Sequence, residues 1–282
     1  MTLAEIKIET KQLLSKKIDA IELNSLLGML IEEVTGWNRV QQVVEINTPL
    51  TEIQINKFTA YTQALLNDKP IQYILGKAWF MGLEYKVNEH VLIPRPETEE
   101  LVEWVVDYVH IIAKPLQLLD IGTGSGCIAI SLKKVLPECS VTAMDISVDA
   151  LELAKKNATN LDATIEWIKQ DIIHETTLAH SFDVMVSNPP YIPVREKINM
   201  EAKVKNYEPL IALFVPNEDP LVFYKAIAQV AKKYLAPKGQ LFFEIHYDQG
   251  KAILQLLDEM HFHAEIRRDS FGKNRMIRAS LK

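Results

Sequence analysis

Leu118–Ile130 reads LLDIGTGSGCIAI, and the rest of the chain is arranged around it. A short apolar run ends at Asp120, glycines follow at Gly122, Gly124 and Gly126, and an apolar helical pattern begins at once. That order predicts strand, tight turn, helix. Glycines here remove Cβ atoms, so a ligand can lie against the backbone at the positive end of the helix. A glycine-rich turn alone is a weak signal, and its neighbours decide what it means.

From Pro115 onward strands and helices alternate. LQLLDIG is a strand, GCIAISLKKVL a helix, SVTAMDI a strand, VDALELAKKNATNL a helix, and TIEWIKQDI and FDVMVSN two further strands. The helix PLVFYKAIAQVAKKYL, the strand GQLFFEI and the helix DQGKAILQLLDEM follow. HFHAEIRRD and NRMIRASL read as an antiparallel hairpin at a sheet edge. Repeated βα units predict an α/β fold, with a Rossmann-like, mostly parallel sheet covered by helices on both faces. Ligands bind beyond the carboxyl ends of such strands. Asp120, Asp145, Asp171 and Asn188 all fall there.

Upstream, residues 1–76 read as helical. Leu3, Ile6, Leu13 and Leu14 recur at helical spacing, as do Ile21, Leu23, Leu26, Leu27, Leu30 and Ile31. Thr51 is a good N-cap, with Gln54 at the capping-box position. With no glycine loop, paired acids or metal spacing, this part reads as a helical domain for recognition. Residues 77–96 belong to a linker: PIQYILGKAWFMGLEYKVNEHVLIP alternates apolar residues around a turn-like Asn88-Glu89 and predicts a β-hairpin. The catalytic region then runs over 97–282, opening on RPETEE and the amphipathic LVEWVVDYVHII.

Composition narrows the class. Hydrophobic residues make up 48% and charged residues 24% of the 282, which is ordinary for a soluble globular protein with a sizeable core. There is no membrane-length apolar run, and the start, MTLAEIKIETKQLL, lacks the layout of a signal peptide, so a cytoplasmic protein is expected. Two cysteines, Cys127 and Cys139, fit a reducing compartment and supply no zinc site; Cys127 is expected to be a small buried apolar residue. No metal is expected. The net charge of −6 disfavours a stable nucleic-acid partner. A monomer is the simplest expectation.

Asp145, at the end of the second strand, is where a carboxylate would accept from a ribose diol. A nicotinamide enzyme would use the same position, but here the spacing is G-x-G-x-G, and Cys127 stands where the last glycine of G-x-G-x-x-G belongs. S-adenosylmethionine, lacking a pyrophosphate, needs less of the helix's anion site. Asp120 could face its cationic methionine end through water or backbone groups, and Asp171 could accept from an adenine amino group. DIGTGSG followed by Asp145 and Asp171 resembles the cofactor signature of class I S-adenosylmethionine-dependent methyltransferases.

On the reacting side, Asn188-Pro189-Pro190-Tyr191 follows the strand FDVMV. Two prolines remove backbone donors and stiffen the loop, which presents carbonyl oxygens. An amide nitrogen is a poor nucleophile because its lone pair is delocalised. Acceptors at the Asn188 side-chain oxygen and the Pro189 carbonyl would draw on its protons and aim its lone pair, while Tyr191 stacks on its plane. N-P-P-Y resembles the motif of methyltransferases acting on planar nitrogens: glutamine amide, adenine or guanine.

PIQYILGKAWFMGLEYKVNEHVLIPRPETEELVE resembles the linker of the release factor glutamine methyltransferases, and the likeness covers essentially the full chain. It implies methylation of the glutamine in the Gly-Gly-Gln motif of bacterial peptide chain release factors, the alternative being the exocyclic amino group of adenine or guanine in nucleic acid. Carried across, Gly122, Thr123, Gly124, Ser125, Gly126, Asp145, Asp171 and Ile172 would bind the cofactor. Asn188 would contact both cofactor and glutamine, with Pro189, Pro190 and Tyr191 holding the glutamine. Asn188, Pro189 and Tyr191 would be the catalytic set. Arg95, Pro96, Glu97 and Thr98 would shape a loop over the site, and the helical domain would grip the release factor. Ile172 departs from a common Trp, and FVPNEDPL from a glycine-rich loop.

Overall fold

The computed structural model describes residues 1–174 and 176–282, which form two compact units. The smaller holds Met1–Gly76 and Glu201–Tyr207, the larger Lys77–Met200 and Glu208–Lys282.

In the smaller unit, α1 (Leu3–Leu14), α2 (Ala20–Thr35), α3 (Gln41–Val44), α4 (Glu52–Leu66) and α5 (Ile71–Leu75) enclose a core that includes Leu3, Ile6, Leu14, Leu27, Leu30 and Phe58. Thr2 and Thr51 each accept from the N3 amide while the N3 side chain returns to the cap, so two orphan donors are satisfied at each start. Of the expected core positions, Leu13 and Ile21 point to solvent. Leu14 and Leu23 fill the inward stripe instead.

The larger unit begins with the hairpin β1 (Lys77–Phe80) and β2 (Leu83–Lys86). Its turn is Met81-Gly82, not Asn88-Glu89. Both turn residues have positive φ, 49° and 72°, the handedness that matches strand twist in a two-residue connection. Ile71–Leu75, which falls both in the helical region 1–76 and in the alternating stretch that starts at Pro70, is helical and stops at Gly76, whose φ is 70°. Asn88 makes a different turn, its Oδ1 accepting from His90 N and its carbonyl from Val91 N.

Next come α6 (Pro96–Ile112), β3 (Gln117–Ile121), α7 (Cys127–Val135), β4 (Ser140–Asp145), α8 (Val148–Asn160), β5 (Glu166–Lys169) and β6 (Phe182–Ser187). Two-residue strands β7 (Ile192–Pro193) and β8 (Phe214–Val215) pair in parallel. Between them lies α9 (Ala202–Tyr207) of the smaller unit, where the Tyr207 hydroxyl donates to the Asn67 carbonyl at 2.6 Å. The chain ends with α10 (Val222–Tyr234), β9 (Leu235–Glu244), α11 (Gly250–Glu259), β10 (Phe262–Arg268) and β11 (Asn274–Leu281).

The main sheet runs β10-β11-β9-β6-β3-β4-β5. Pairing is parallel from β9 to β5, and the last two strands add an antiparallel edge. Alternate residues separate its two cores. Leu118, Val184, Val186 and Phe242 face a layer with α6 and α7. Leu119, Met185, Leu241 and Phe243 face one with α10 and α11. The sheet is therefore the α/β, mostly parallel, Rossmann-like one expected. Sequence order reverses between β3 and β6, so the topological switch point lies where the glycine loop and Asn188 emerge. Among the described residues no helix is long and apolar enough to cross a membrane.

Candidate active site

The glycine loop is held from both sides. Gly122 N and Thr123 N donate to the Met144 carbonyl at 2.8 and 3.0 Å. Gly124 N donates to Asp145 Oδ2 at 2.9 Å, while Ser147 N donates to Asp145 Oδ1 at 2.9 Å. Gly122 and Gly124 have φ of 75° and 54°, and a Cβ at either would point into open space. Gly126 (φ 82°) is tight for another reason: a Cβ there would lie 2.9 Å from Ile130 Cδ1 and 3.1 Å from Ala154 Cβ. The first two glycines leave a bare cradle, and the third lets α7 lie close to α8.

Asp120 is turned inward. Its Oδ2 accepts from Thr123 Oγ1 at 2.7 Å and from Ala129 N at 3.2 Å. Because Gly126 offers no side chain at the N-cap of α7, the preceding strand supplies the cap. Burial pushes the Asp120 carboxyl up to about 7, against the pull of those two hydrogen bonds. It does not line the cavity; what it does directly is cap α7.

A cavity of about 280 Å³ opens over the carboxyl ends of β3, β4 and β6. Its walls bring together Gly122, Thr123, Gly124, Ser125, Asp145, Asp171, Ile172, Asn188, Pro189 and Pro190. Gly126 lies behind the wall, and Tyr191 stands to one side of it with its ring 5.7 Å from that of His246. Asp145 is half-buried, and burial raises its pKa despite amides from Ser147, Gly124 and Ile146. Asp171 sits two residues past β5, its Oδ1 accepting from Ile173 N at 2.9 Å and its Oδ2 2.6 Å from His174 Nδ1. Cys127 is half-buried at the same wall, and burial pushes its thiol up to about 12, which keeps it an unreactive apolar filler.

Other wall and support residues come from the linker stretch and from positions outside the glycine and N-P-P-Y motifs. Val91, Leu92, Pro94 and Arg95 form a cover, fixed by Glu208: its Oε1 meets Arg95 Nη2 at 2.5 Å and its Oε2 accepts from Ile93 N at 3.4 Å. Asn157 of α8 donates to the carbonyls of Ser125 and Lys86 and accepts from Lys86 N, tying hairpin to glycine loop. Thr98 and Glu244 lie behind Asn188. Asn188 Nδ2 donates to Thr98 Oγ1 at 3.1 Å, Thr98 donates to Glu244 Oε2 at 2.6 Å, and Tyr191 donates to Glu244 Oε1 at 3.4 Å. Glu244 is 2% exposed, and burial pushes its carboxyl up to about 7. Burial also raises the Tyr191 pKa, so the phenol stays protonated.

Two further groups of polar residues near the C-terminus form surface structure. His261 and His263 are both exposed, and His261 stands at a positive-φ turn before β10. In the basic C-terminal hairpin, Arg275 pairs with Asp269 and Arg278 with Glu265, while Arg267 and Arg278 both lie over Trp104. Much of that charge is spent internally.

Comparison with known proteins sharpens the picture. The PrmC N-terminal domain family model matches residues 6–76, and the Methyltransferase small domain model matches residues 108–205. A Flavobacterium psychrophilum protein described as a release factor glutamine methyltransferase is 41% identical over 285 residues, covering 100% of both chains. The chain belongs to the release factor glutamine methyltransferase family. A Bacteroides thetaiotaomicron relative of the same description is 47% identical over 219 residues, 77% of each chain. A methyltransferase crystal structure from Pyrococcus furiosus matches with a TM-score of 0.51 at 17% identity, covering 79% of this chain and 100% of that one. That likeness concerns the fold. The family assignment gives the cavity a chemistry to be tested against, with N-P-P-Y at its edge and the glycine loop at its floor.

Proposed function

We propose that this chain transfers a methyl group from S-adenosylmethionine to the side-chain amide nitrogen of the glutamine in the Gly-Gly-Gln motif of release factors. The observation that carries the reading is the arrangement of Asn188 beside the glycine cradle in one cavity, in a chain that resembles release factor glutamine methyltransferases end to end.

The residues present fit the cofactor. The open Cβ directions of Gly122 and Gly124 leave room for a nucleoside against the backbone. Asp145 keeps lone pairs beyond its amide bonds for a ribose diol, and Asp171 at the next strand end serves the adenine amino group. Ile172 gives an aliphatic wall for the purine where a Trp was the family expectation. When bound, the cofactor supplies an electrophilic methyl on a sulfonium.

The chain's own work is orientation. Asn188 spends its NH₂ on Thr98, which leaves its Oδ1 as an acceptor for one substrate N–H. The Pro189 carbonyl takes the other. Two acceptors localise electron density on the amide nitrogen and hold its lone pair toward the methyl, and such alignment supplies much of the barrier reduction in group transfer. No side-chain base is required, because the methylated amide loses its proton to solvent. Tyr191, neutral and tied to Glu244, borders the glutamine plane. Exposed apolar side chains on the helical unit, Ile21, Val40, Val43, Val44 and Ile53, are available to contact a protein substrate. The proposed place of action is the cytoplasm, as a monomer.

The test is methyl transfer from radiolabelled S-adenosylmethionine to a purified release factor, beside a Gln→Ala variant of its Gly-Gly-Gln motif and beside bulk RNA and DNA. Label on the wild-type factor alone supports the reading. Label on nucleic acid, with none on the factor, overturns it.

A further inference from the structure

Three side chains from distant parts of the sequence form a directed chain of hydrogen bonds behind the site. Asn188 follows β6, Thr98 lies in the first turn of α6, and Glu244 ends β9. The Thr98 hydroxyl has a single proton. An ionised carboxylate can only accept, so Thr98 must give that proton to Glu244 Oε2, 2.6 Å away. The oxygen then has only lone pairs to offer Asn188, and the amide must turn its NH₂ toward it, at 3.1 Å.

A proton on Glu244 Oε2 permits the reverse sequence. Glu244 donates to Thr98, Thr98 donates to Asn188 Oδ1, and the amide turns its NH₂ into the cavity, where a donor faces the substrate N–H. We propose that the Glu244 carboxylate, acting through Thr98, sets the direction of this chain and so makes Asn188 present an acceptor to the substrate amide. The proposal rests on the reading of Asn188 as the acceptor for the reacting amide. Thr98 and Glu244 are positioning residues in it.

The surroundings decide where the proton is held. Glu244 is faced by Thr98 and Glu97 from α6, by Tyr191 from the N-P-P-Y loop, and by Arg275 from β11, itself paired with Asp269 at 3.2 Å. The Tyr224 hydroxyl of α10 donates to the Glu244 carbonyl at 3.1 Å. His246, two residues on, pairs with Asp248 and leaves Glu244 to the groups just named. Burial is the largest influence and raises the carboxyl to about 7, with Glu97 in the same sense and Thr98, Arg275 and Tyr191 opposing. The direction of the chain is therefore set by pH within the working range of an enzyme.

Two readouts test this, one of them free of substrate. In the ¹⁵N-labelled full chain, the Asn188 side-chain amide resonance is identified by its loss in Asn188→Ala and followed with pH. The expected result is one transition with a midpoint at about 7, kept in Thr98→Ser and lost in Thr98→Val and Glu244→Gln. In methyl transfer, kcat falls roughly tenfold per pH unit below that midpoint, with KM for S-adenosylmethionine unchanged. Thr98→Val lowers kcat by roughly tenfold to a hundredfold and abolishes the pH limb, and Thr98→Ser restores both. A transition that survives in Glu244→Gln, or a Thr98→Val enzyme with the wild-type rate and pH limb, overturns the proposal. Because the resonance is followed without substrate, failure of the hydrogen-bond chain is distinguishable from failure of the functional reading, which would show as no transfer to release factor by the wild type at any pH.

Discussion

Gly126 joins backbone conformation to packing at a single position. Its φ of 82° disfavours any L side chain, and the nearest atoms to an added Cβ are Ile130 Cδ1 at 2.9 Å and Ala154 Cβ at 3.1 Å. Gly126→Ala should destabilise the fold by about 1–3 kcal/mol, read as a lower midpoint in denaturant unfolding with an unchanged slope. Gly124, which faces open space, combines positive φ with no such contact, so Gly124→Ala should cost less stability and more cofactor affinity. Glu244 makes a prediction of opposite character. Its folded-state pKa is raised from 4.5 to about 7 by burial, so the unfolded chain releases this proton first as pH rises. The stability linked to the protonated carboxyl is fully present below the unfolded value and is lost as pH passes through the folded one. Glu244→Gln, which cannot ionise, should therefore gain on the wild type by on the order of a few kcal/mol between about pH 4.5 and about pH 7. Unfolding free energies of the two proteins measured across that range check it, and a constant difference would contradict it. The glycines and Asn188 were legible in the sequence because a motif is local. Thr98 was visible only as part of a loop, and Glu244 only as part of the strand GQLFFEI. Their partnership depends on the sheet bringing residues 98, 188 and 244 together, which no spacing encodes.

Among the elements, the cover over the cavity depends on one buried carboxylate. Glu208 holds Arg95 and the Ile93 amide, and its own side chain is 1% exposed while that of Arg95 is 34% exposed. Water screens the Arg95 end, so Glu208→Ala should cost only about 1–2 kcal/mol of stability. The larger effect belongs to the site, because Leu92, Pro94 and Arg95 lose their anchor. Binding of S-adenosylhomocysteine, measured by calorimetry, should weaken by roughly threefold to tenfold, and unchanged binding would show that the cover is held by other means. Long periodic elements such as α6, α10 and α11 were readable from their apolar stripes, and β3, β4 and β6 from their buried runs. The hairpin turn was misread because Met81 carries a positive φ that a Met does not advertise, whereas Asn88 offered a turn residue and used it elsewhere. The segment from β7 to β8 was not readable at all. Its two-residue strands exist only through pairing across an intervening twenty residues or so, and local propensity carries no trace of such pairing.

For the whole molecule, strand order is what turns separate motifs into a site. Placing β6 beside β3, on the side away from β4, puts the glycine loop and Asn188 at neighbouring strand ends. Alternating β and α segments announced the parallel sheet, and the carboxyl-end rule announced where the cavity would lie. The antiparallel β10–β11 edge also came from its sequence, but its basic residues did not reveal their partners: Asp269, Glu265 and Trp104 take up Arg275, Arg278 and Arg267. With that charge paired and the net charge at −6, a protein substrate is better served than nucleic acid. In the proposed reaction Asn188 orients the glutamine amide of a release factor. The most direct test is tandem mass spectrometry of the release factor after reaction at saturating S-adenosylmethionine with the wild type and with Asn188→Ala. One methyl is expected, on the glutamine of Gly-Gly-Gln. An initial rate roughly a hundredfold or more lower is expected for Asn188→Ala, whose S-adenosylmethionine affinity changes far less. A methyl on another residue, or an Asn188→Ala enzyme working at the wild-type rate, would contradict this reading.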